Sequence, residues 1–525
     1  MAQRHLKKLR WIISLLFLIS LTSLFVDYRE LIPQKWYNTI LFFQFVPSLL
    51  NFINILSISA AGFIIIVILT LLFGRVYCST VCPLGIFQDL ISWFSRKLKI
   101  RRKHKLKRPY KLLRYFLLAL PVVFLIFGGI FLINLLDPYS QFGRIFSDLF
   151  RPAFIGINNL AAAVLEKLHI YFLFPVSHKS FHWSTIWFPA GILVLVLWMS
   201  FFHGRIYCNT ICPVGTLLGL LSKASFFRIK MDKTTCTRCG KCSVVCKGGC
   251  IDFRNMRLDF DRCVGCFNCL DTCDTDSIMY QYAFKKVNTG YDEKVVESKR
   301  EFISASLLYA IGLLGISKGL KAETRKPDNT KNNNLIPENK KYPVSPPGSL
   351  SLQHFNNNCT ACHLCISVCP THVLQPSFLE HGFTGMMQPR MDYHINYCNY
   401  NCTKCSNACP TGAILPVTTE AKKLTQIGRV KFIMENCVVY TDNTACGSCS
   451  EHCPTQAVHM VPYKNDLTIP ETHADTCIGC GACEYACPVR PYRAIYVDGN
   501  PVHKAAQKPH FEDLKTETRE EEFPF

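Results

Sequence analysis

The chain has 525 residues, 29 of them cysteine, and a formal net charge of +21; that length is too great for one ordinary domain. Hydrophobic residues make up 49% of it and concentrate in the first 320 positions, which points to a membrane half followed by a soluble half. The cysteines repeat one four-cysteine spacing many times, and that excludes the short disulfide scaffold that a cysteine-rich chain otherwise suggests.

Four apolar runs approach the roughly 20 residues that a bilayer requires. They lie at about 10–26, 53–73, 112–136 and 186–202. A fifth, 302–320, is weaker. The stretch 154–176 is interrupted by Glu166, Lys167 and His169, so it reads as a surface-lying amphipathic segment. The N-terminus, MAQRHLKKLR, and the loop SRKLKIRRKHKLKRPYK are strongly basic, whereas the loops at 27–52 and 137–185 are far poorer in Lys and Arg. Basic residues mark the cytoplasmic side, so the expected order is in, out, in, out, in. The dense basic loop lies between two spans, which favours anionic lipid over nucleic acid as its partner.

The second and fourth spans each end in the same motif, GRVYCSTVCPLG at 74–85 and GRIYCNTICPVG at 204–215. Cysteines four apart share one helical face, and Pro83 marks a break or the first turn of the next helix. If spans two and four pack as a pseudo-symmetric pair, Cys78, Cys82, Cys208 and Cys212 meet at the cytoplasmic membrane edge. They are candidates for a catalytic, redox or metal-binding role. Arg75 and Arg205 read as lipid anchors, with stabilisation of thiolates as the alternative. No apolar span contains histidine, which argues against a transmembrane haem pair.

After span four come CTRCGKCSVVC and CVGCFNCLDTC. Both follow C-x2-C-x2-C-x3-C, the spacing that offers three thiolates from one loop to a [4Fe–4S] cluster while the fourth binds the neighbouring cluster. Structural zinc sites use two separated Cys-x-x-Cys pairs and have no need of the third cysteine. The spacing therefore assigns Cys236, Cys239, Cys242 and Cys273 to a first cluster and Cys263, Cys266, Cys269 and Cys246 to a second. Cys250 is left over, as a substitute for Cys246 or a small buried residue.

SKREFI at 298–303 stands before the weak fifth run and is similar to a twin-arginine export signal, with Lys299 in place of the first arginine. Residues 321–355, rich in Lys, Asn and Pro, have linker composition. Four more runs follow. They are Cys359, Cys362, Cys365 and Cys369; Cys398, Cys402, Cys405 and Cys409; Cys437, Cys446, Cys449 and Cys453; and Cys477, Cys480, Cys483 and Cys487. Each ends in Cys-Pro, where proline fixes the departing chain. The expected fold is an α-helical membrane domain (1–230) with an inserted α+β 2[4Fe–4S] ferredoxin unit (231–285). A signal or membrane segment (298–320) and a linker (321–355) lead to a soluble α+β 4[4Fe–4S] ferredoxin-like domain (356–503) and a charged tail (504–525).

The first ~300 residues resemble NapH, a membrane ferredoxin, and more distantly the NosR and CcoG type, on the two CxxxCP motifs and the two cysteine runs that follow. The last ~230 resemble the NapG/MauM group of exported four-cluster ferredoxins, on the SKREFI leader and ENCVVYTDNTACGSCSEHCP. The resemblance implies a fusion that takes electrons from quinol to a periplasmic redox partner, with six [4Fe–4S] clusters, as a quinol dehydrogenase or an electron-transfer subunit of an oxidoreductase. It places the protein in a bacterial inner membrane, with the N-terminus and first ferredoxin unit cytoplasmic and the C-terminal domain periplasmic. It also implies that run one pairs with run four and run two with run three. Cys487 would then complete the set of Cys359, Cys362 and Cys365, and Cys369 that of Cys477, Cys480 and Cys483. Cys453 would complete Cys398, Cys402 and Cys405, and Cys409 that of Cys437, Cys446 and Cys449. Pairing of run one with run two and run three with run four stays open on the residues themselves. The CcoG likeness carries an alternative, copper handling by the four CxxxCP thiols.

Overall fold

The computed structural model describes residues 4–29, 31–55, 61–98, 110–176, 183–232, 234–283 and 335–508. The leader at 298–320, most of the basic loop and the tail beyond 508 lie outside the described residues.

The N-terminal region is helical. α1 (Arg4–Val26) and α11 (Trp183–His203) contain apolar stretches of 22 and 19 residues that are long enough to cross a membrane. The other two expected spans are shorter helices. α3 (Phe45–Ile55) precedes α4 (Gly62–Phe73), and α7 (Lys111–Ile126) stops before Gly128, whose φ of 78° turns the chain into α8 (Phe131–Leu136). A left-handed residue ends a helix, and an apolar composition count cannot register it. Large apolar side chains stay exposed along α1, α4, α7 and α11, among them Ile12, Leu16, Ile68, Phe116 and Val194. Exposed apolar side chains in such numbers mark a surface that meets a membrane or another protein. α10 (Arg151–Lys167) likewise exposes Phe154, Ile157 and Leu160.

Each CxxxCP motif folds in the same way. Cys78 lies in the short α5 (Tyr77–Thr80) and Cys208 in α12 (Ile206–Thr210). Cys82 and Cys212 then take the extended N-cap position of α6 (Pro83–Lys97) and α13 (Pro213–Ser222), with proline first in the helix. Proline is suited to that place because its missing N–H would have no helical partner there.

The first ferredoxin unit pairs β1 (Phe227–Met231) with β4 (Ile278–Tyr282), antiparallel, around two short helices. In the C-terminal unit β7 (Thr425–Phe432) pairs with β10 (Ile495–Ala505), and small hairpins flank the short helices that carry the cysteines. This unit begins earlier than composition suggests. Residues 335–350 run extended along it, with Val344 in its core and Ser345 Oγ 2.9 Å from His503 Nε2. Proline-rich sequence is compatible with a packed extended segment as well as with a linker. Lys504 and Ala505 belong to β10, not to a tail.

The two ferredoxin units pack on opposite ends of α1. Near its start Lys7 pairs with Asp271 at 2.6 Å. Near its end Phe25 and Cys362 share one core, both lying against Gly143. Eighteen residues of helix between Lys7 and Phe25 span roughly 27 Å.

Candidate iron–sulfur centres

The regular cysteine runs share one backbone device. In each, the residue before and the residue after the second cysteine have positive φ: Arg238 and Gly240, Gly265 and Phe267, Ala361 and His363, Gly479 and Gly481. Such left-handed turns point successive N–H groups inward and form an anion-binding nest, which suits a cluster held by thiolates. Backbone N–H groups also reach sulfur directly, from Ile414 to Cys409 at 3.4 Å, Ala457 to Cys453 at 3.2 Å and Gly479 to Cys477 at 3.3 Å. The Cys-Pro-Thr sequences place a hydroxyl beside the last sulfur of the run. Thr371, Thr411 and Thr455 lie 3.6, 3.7 and 3.8 Å from Cys369, Cys409 and Cys453. The fixed Pro-Thr spacing after the last cysteine is the sequence signal for this hydroxyl.

In the first unit Cys242 neighbours Cys236, Cys239 and Cys273, and Cys269 neighbours Cys266, Cys263 and Cys246. Cys246, Cys250, Cys263, Cys266 and Cys269 line one small enclosed cavity. Cys250 is buried, with its sulfur 3.5 Å from that of Cys246, so this set has a fifth thiol at its edge.

The C-terminal unit departs from the expected pairing. Cys365 lies among Cys359, Cys362 and Cys409, and Cys405 among Cys398, Cys402 and Cys369. Cys449 lies among Cys437, Cys446 and Cys487, and Cys483 among Cys477, Cys480 and Cys453. Consecutive runs therefore exchange their fourth cysteines, one with two and three with four. The reason is local packing: the short helices Leu364–Ser367 and Lys404–Ala408 lie against each other, as do Ser448–Glu451 and Ala482–Ala486. The two pairs adjoin through Cys398, whose N–H donates to the Cys480 carbonyl at 2.9 Å.

Between the two ferredoxin units lie the CxxxCP thiols. Cys78, Cys82, Cys208 and Cys212 are all buried in one core, and Cys82 is within electrostatic reach of the other three. Arg75 and Arg205 are 1% and 0% exposed, so they are not lipid anchors. Each crosses to the other half: Arg75 Nη2 donates to the Cys208 carbonyl at 3.2 Å, and Arg205 Nη1 to that of Cys78 at 2.6 Å. A Cβ on Gly85 or Gly215 would collide with these same two carbonyls, which is why both motifs end in glycine. Towards the first unit, Arg75 donates to the Asp261 carbonyl and Asn209 to those of Gly248 and Arg262. Towards the second, Tyr77, Tyr207, Asp137, Tyr139 and Arg144 fill the core up to Cys362.

The C-terminal unit is held by a short stretch of π-helix at Phe146–Phe150. Asp148 there accepts from His363 Nδ1 at 2.8 Å, and Ser147 Oγ accepts from Ser367 at 3.0 Å. An open cavity of about 470 Å³ lies at the same junction, lined by Ile53, Leu125 and Ile130 on one side and His354, Asn357 and Asn358 on the other.

Loops of cysteines that converge in sets of four define an iron–sulfur protein of the ferredoxin type, with multiple [4Fe–4S] clusters. A family model described as a 4Fe–4S binding domain matches residues 58–101 and 185–234, and one described as a 4Fe–4S dicluster domain matches 358–413 and 443–490. The chain is 26% identical to the ferredoxin-type protein NapH of Escherichia coli over 229 residues, 42% of this chain and 67% of that protein. It is 30% identical to the ferredoxin-type protein NapF of Escherichia coli over 154 residues, 29% of this chain and 85% of that protein. It is 35% identical to the methylamine utilization ferredoxin-type protein MauM of Methylophilus methylotrophus over 152 residues, 27% and 66% of the two lengths. No solved structure matches. The chain belongs to these ferredoxin-type electron-transfer proteins, joining a NapH-like region to a NapF/MauM-like region.

Proposed function

We propose that this protein spans a membrane and carries single electrons from quinol, through [4Fe–4S] clusters, to a redox protein on the periplasmic side. The observation that carries the reading is the placement of two ferredoxin units at opposite ends of α1, roughly 27 Å apart along it, with four buried thiols between them. That length matches the hydrocarbon core of a bilayer, about 30 Å. The basic N-terminus supports a cytoplasmic first unit and an outward C-terminal unit.

We assign the ligands by proximity. Cys236, Cys239, Cys242 and Cys273 form one set, and Cys263, Cys266, Cys269 and Cys246 the next. In the C-terminal unit the sets are Cys359, Cys362, Cys365 with Cys409; Cys398, Cys402, Cys405 with Cys369; Cys477, Cys480, Cys483 with Cys453; and Cys437, Cys446, Cys449 with Cys487. Clusters in such sites supply one-electron carriers whose potentials follow charge, hydrogen bonds and exposure.

The cavity lined by Leu125 and His354 is the candidate quinol site. Its apolar side belongs to the helical region, and Asn358 on its polar side directly precedes Cys359. Oxidation of one quinol there releases two protons and two electrons, the electrons leaving one at a time into the adjacent ligand sets. The test is anaerobic addition of a short-chain quinol to the purified full chain in detergent. Bleaching of the visible cluster absorbance is expected, and Leu125→Trp should raise the quinol concentration needed while leaving reduction by dithionite intact. Intact clusters that no quinol concentration reduces would overturn the reading.

A further inference from the structure

We infer that the Tyr139 hydroxyl donates a hydrogen bond to a sulfide of the [4Fe–4S] cluster held by Cys359, Cys362, Cys365 and Cys409, and so raises the reduction potential of that cluster. The helical region then contributes a potential-setting group to the first cysteine set of the C-terminal unit.

The hydroxyl is an orphan. Tyr139 is 1% exposed, and its O–H has no hydrogen-bond partner in the protein. A buried hydroxyl left without an acceptor is costly, so the position calls for one. Tyr393 shows the ordinary outcome. It is equally buried, among Cys398, Cys480 and Cys477, and its hydroxyl donates to the Gly479 carbonyl. Asp137, two positions before Tyr139, is already engaged as a helix cap. Its Oδ2 accepts from the N–H and the O–H of Ser140, at 2.9 and 2.7 Å.

The helix that carries Tyr139 faces this cysteine set. In α9 (Pro138–Ile145), Tyr139 and Gly143 lie one turn apart and share a face. That face is pressed onto the C-terminal unit, because a Cβ on Gly143 would lie 2.3 Å from the Cys362 carbonyl oxygen. The same Cβ would lie 2.9 Å from the ring of Phe25, whose centroid is 5.8 Å from that of Tyr139. Tyr139 and Cys362 accordingly share one core.

The sulfurs within electrostatic reach of the hydroxyl are those of Cys362, Cys409 and Cys365, three of the four ligands, and it hydrogen-bonds to none of them. Cys409 takes its own donor from the N–H of Ile414, at 3.4 Å. What these three thiolates would surround in common is the cluster core, and a core sulfide is the acceptor that remains. Hydrogen bonds to sulfur are among the factors that set a cluster's potential. A donor favours the reduced state, because that state carries the greater negative charge.

The inference rests on the ligand set proposed above and not on quinol. Tyr139→Phe removes the O–H and keeps the ring against Phe25. The experiment is an EPR-monitored redox titration of the full chain in detergent, with dithionite and mediators. One component should titrate at a lower potential in the variant. Its reduced-to-oxidised ratio at a fixed potential should fall about tenfold, which is about 59 mV for one electron. The other midpoints, and iron and acid-labile sulfide per chain, should stay as in the parent. Cys409→Ser should alter the same component. In deuterated solvent the reduced parent should show an exchangeable deuteron coupled to that cluster, and the Phe variant should lack it. Midpoints that all stay in place would overturn the inference, as would a shift confined to a component that Cys409→Ser leaves alone, or equal deuteron coupling in parent and variant. If Cys409→Ser does not fold, the midpoint and the deuteron coupling of the Phe variant decide the matter. No quinol enters the titration, so failure of the proposed donor and failure of this hydrogen bond are read separately.

Discussion

Asp89 is the residue on which the junction between the helical region and the first ferredoxin unit depends. Burial alone would raise its carboxyl pKa, but Arg205, Lys247 and Arg10 outweigh burial and hold it far below the usual carboxylate range. The three cations come from α11's end, the first ferredoxin unit and α1, so one side chain ties three separate parts of the chain. Removing one partner of a buried ionic network costs about 3–5 kcal/mol, because the remaining charges lose their compensation. Asp89→Asn should therefore lower the thermal midpoint of the detergent-solubilised protein and loosen the first ferredoxin unit from the helices, measured by hydrogen exchange at Gly248 and Asp261. An unchanged midpoint would mean that a neighbouring cluster, rather than Asp89, compensates these cations. Nothing in the sequence marked Asp89: it is one acidic residue in an amphipathic helix, and its partners lie 79, 116 and 158 positions away.

At the scale of elements, the junction between the helical region and the C-terminal unit rests on few polar contacts. Asp148 and His363 meet at 2.8 Å with little exposure, Asn54 Nδ2 donates to the Thr411 carbonyl at 2.8 Å, and Phe131 lies 5.0 Å from Phe383 between centroids. Asp148→Ala leaves His363 buried without its carboxylate. A buried polar group stripped of its partner costs about 1–3 kcal/mol, so this variant should show faster hydrogen exchange at 363–368 with iron content unchanged. Exchange as slow as in the parent would show that the apolar contacts suffice. The sequence made the cysteine loops legible because cluster ligation fixes their spacing, and it made the CxxxCP repeat legible because both halves use one cap, Cys then Pro. It left the exchange of fourth cysteines open, since spacing within a run says nothing about which run lies alongside. It also misjudged where helices stop in 53–73 and 112–136, because apolar residues serve short packed helices as well as long spans.

Across the whole molecule each cysteine set neighbours the next in one succession. Cys236 and its partners, with Cys239 exposed, begin it; the sets of Cys263, the CxxxCP thiols, Cys359, Cys398 and Cys477 follow; the set of Cys437 ends it, beside the exposed Tyr440. A succession that begins at one end of α1 and finishes beyond the other suits the proposed case, in which those ends face different compartments. The opposing case is a chain that lies on one side, with its exposed apolar helices covered by a partner. The two cases differ in where proteases reach. In intact spheroplasts of the expressing bacterium, an outward C-terminal unit predicts that added protease cleaves within 335–508 only after the clusters are removed, when the unit unfolds, and never within 231–285. Cleavage within 231–285 in intact cells would reverse the orientation. Protection of both units until the membrane is broken would place the chain on the inner side, and the succession of clusters would then serve a cytoplasmic acceptor.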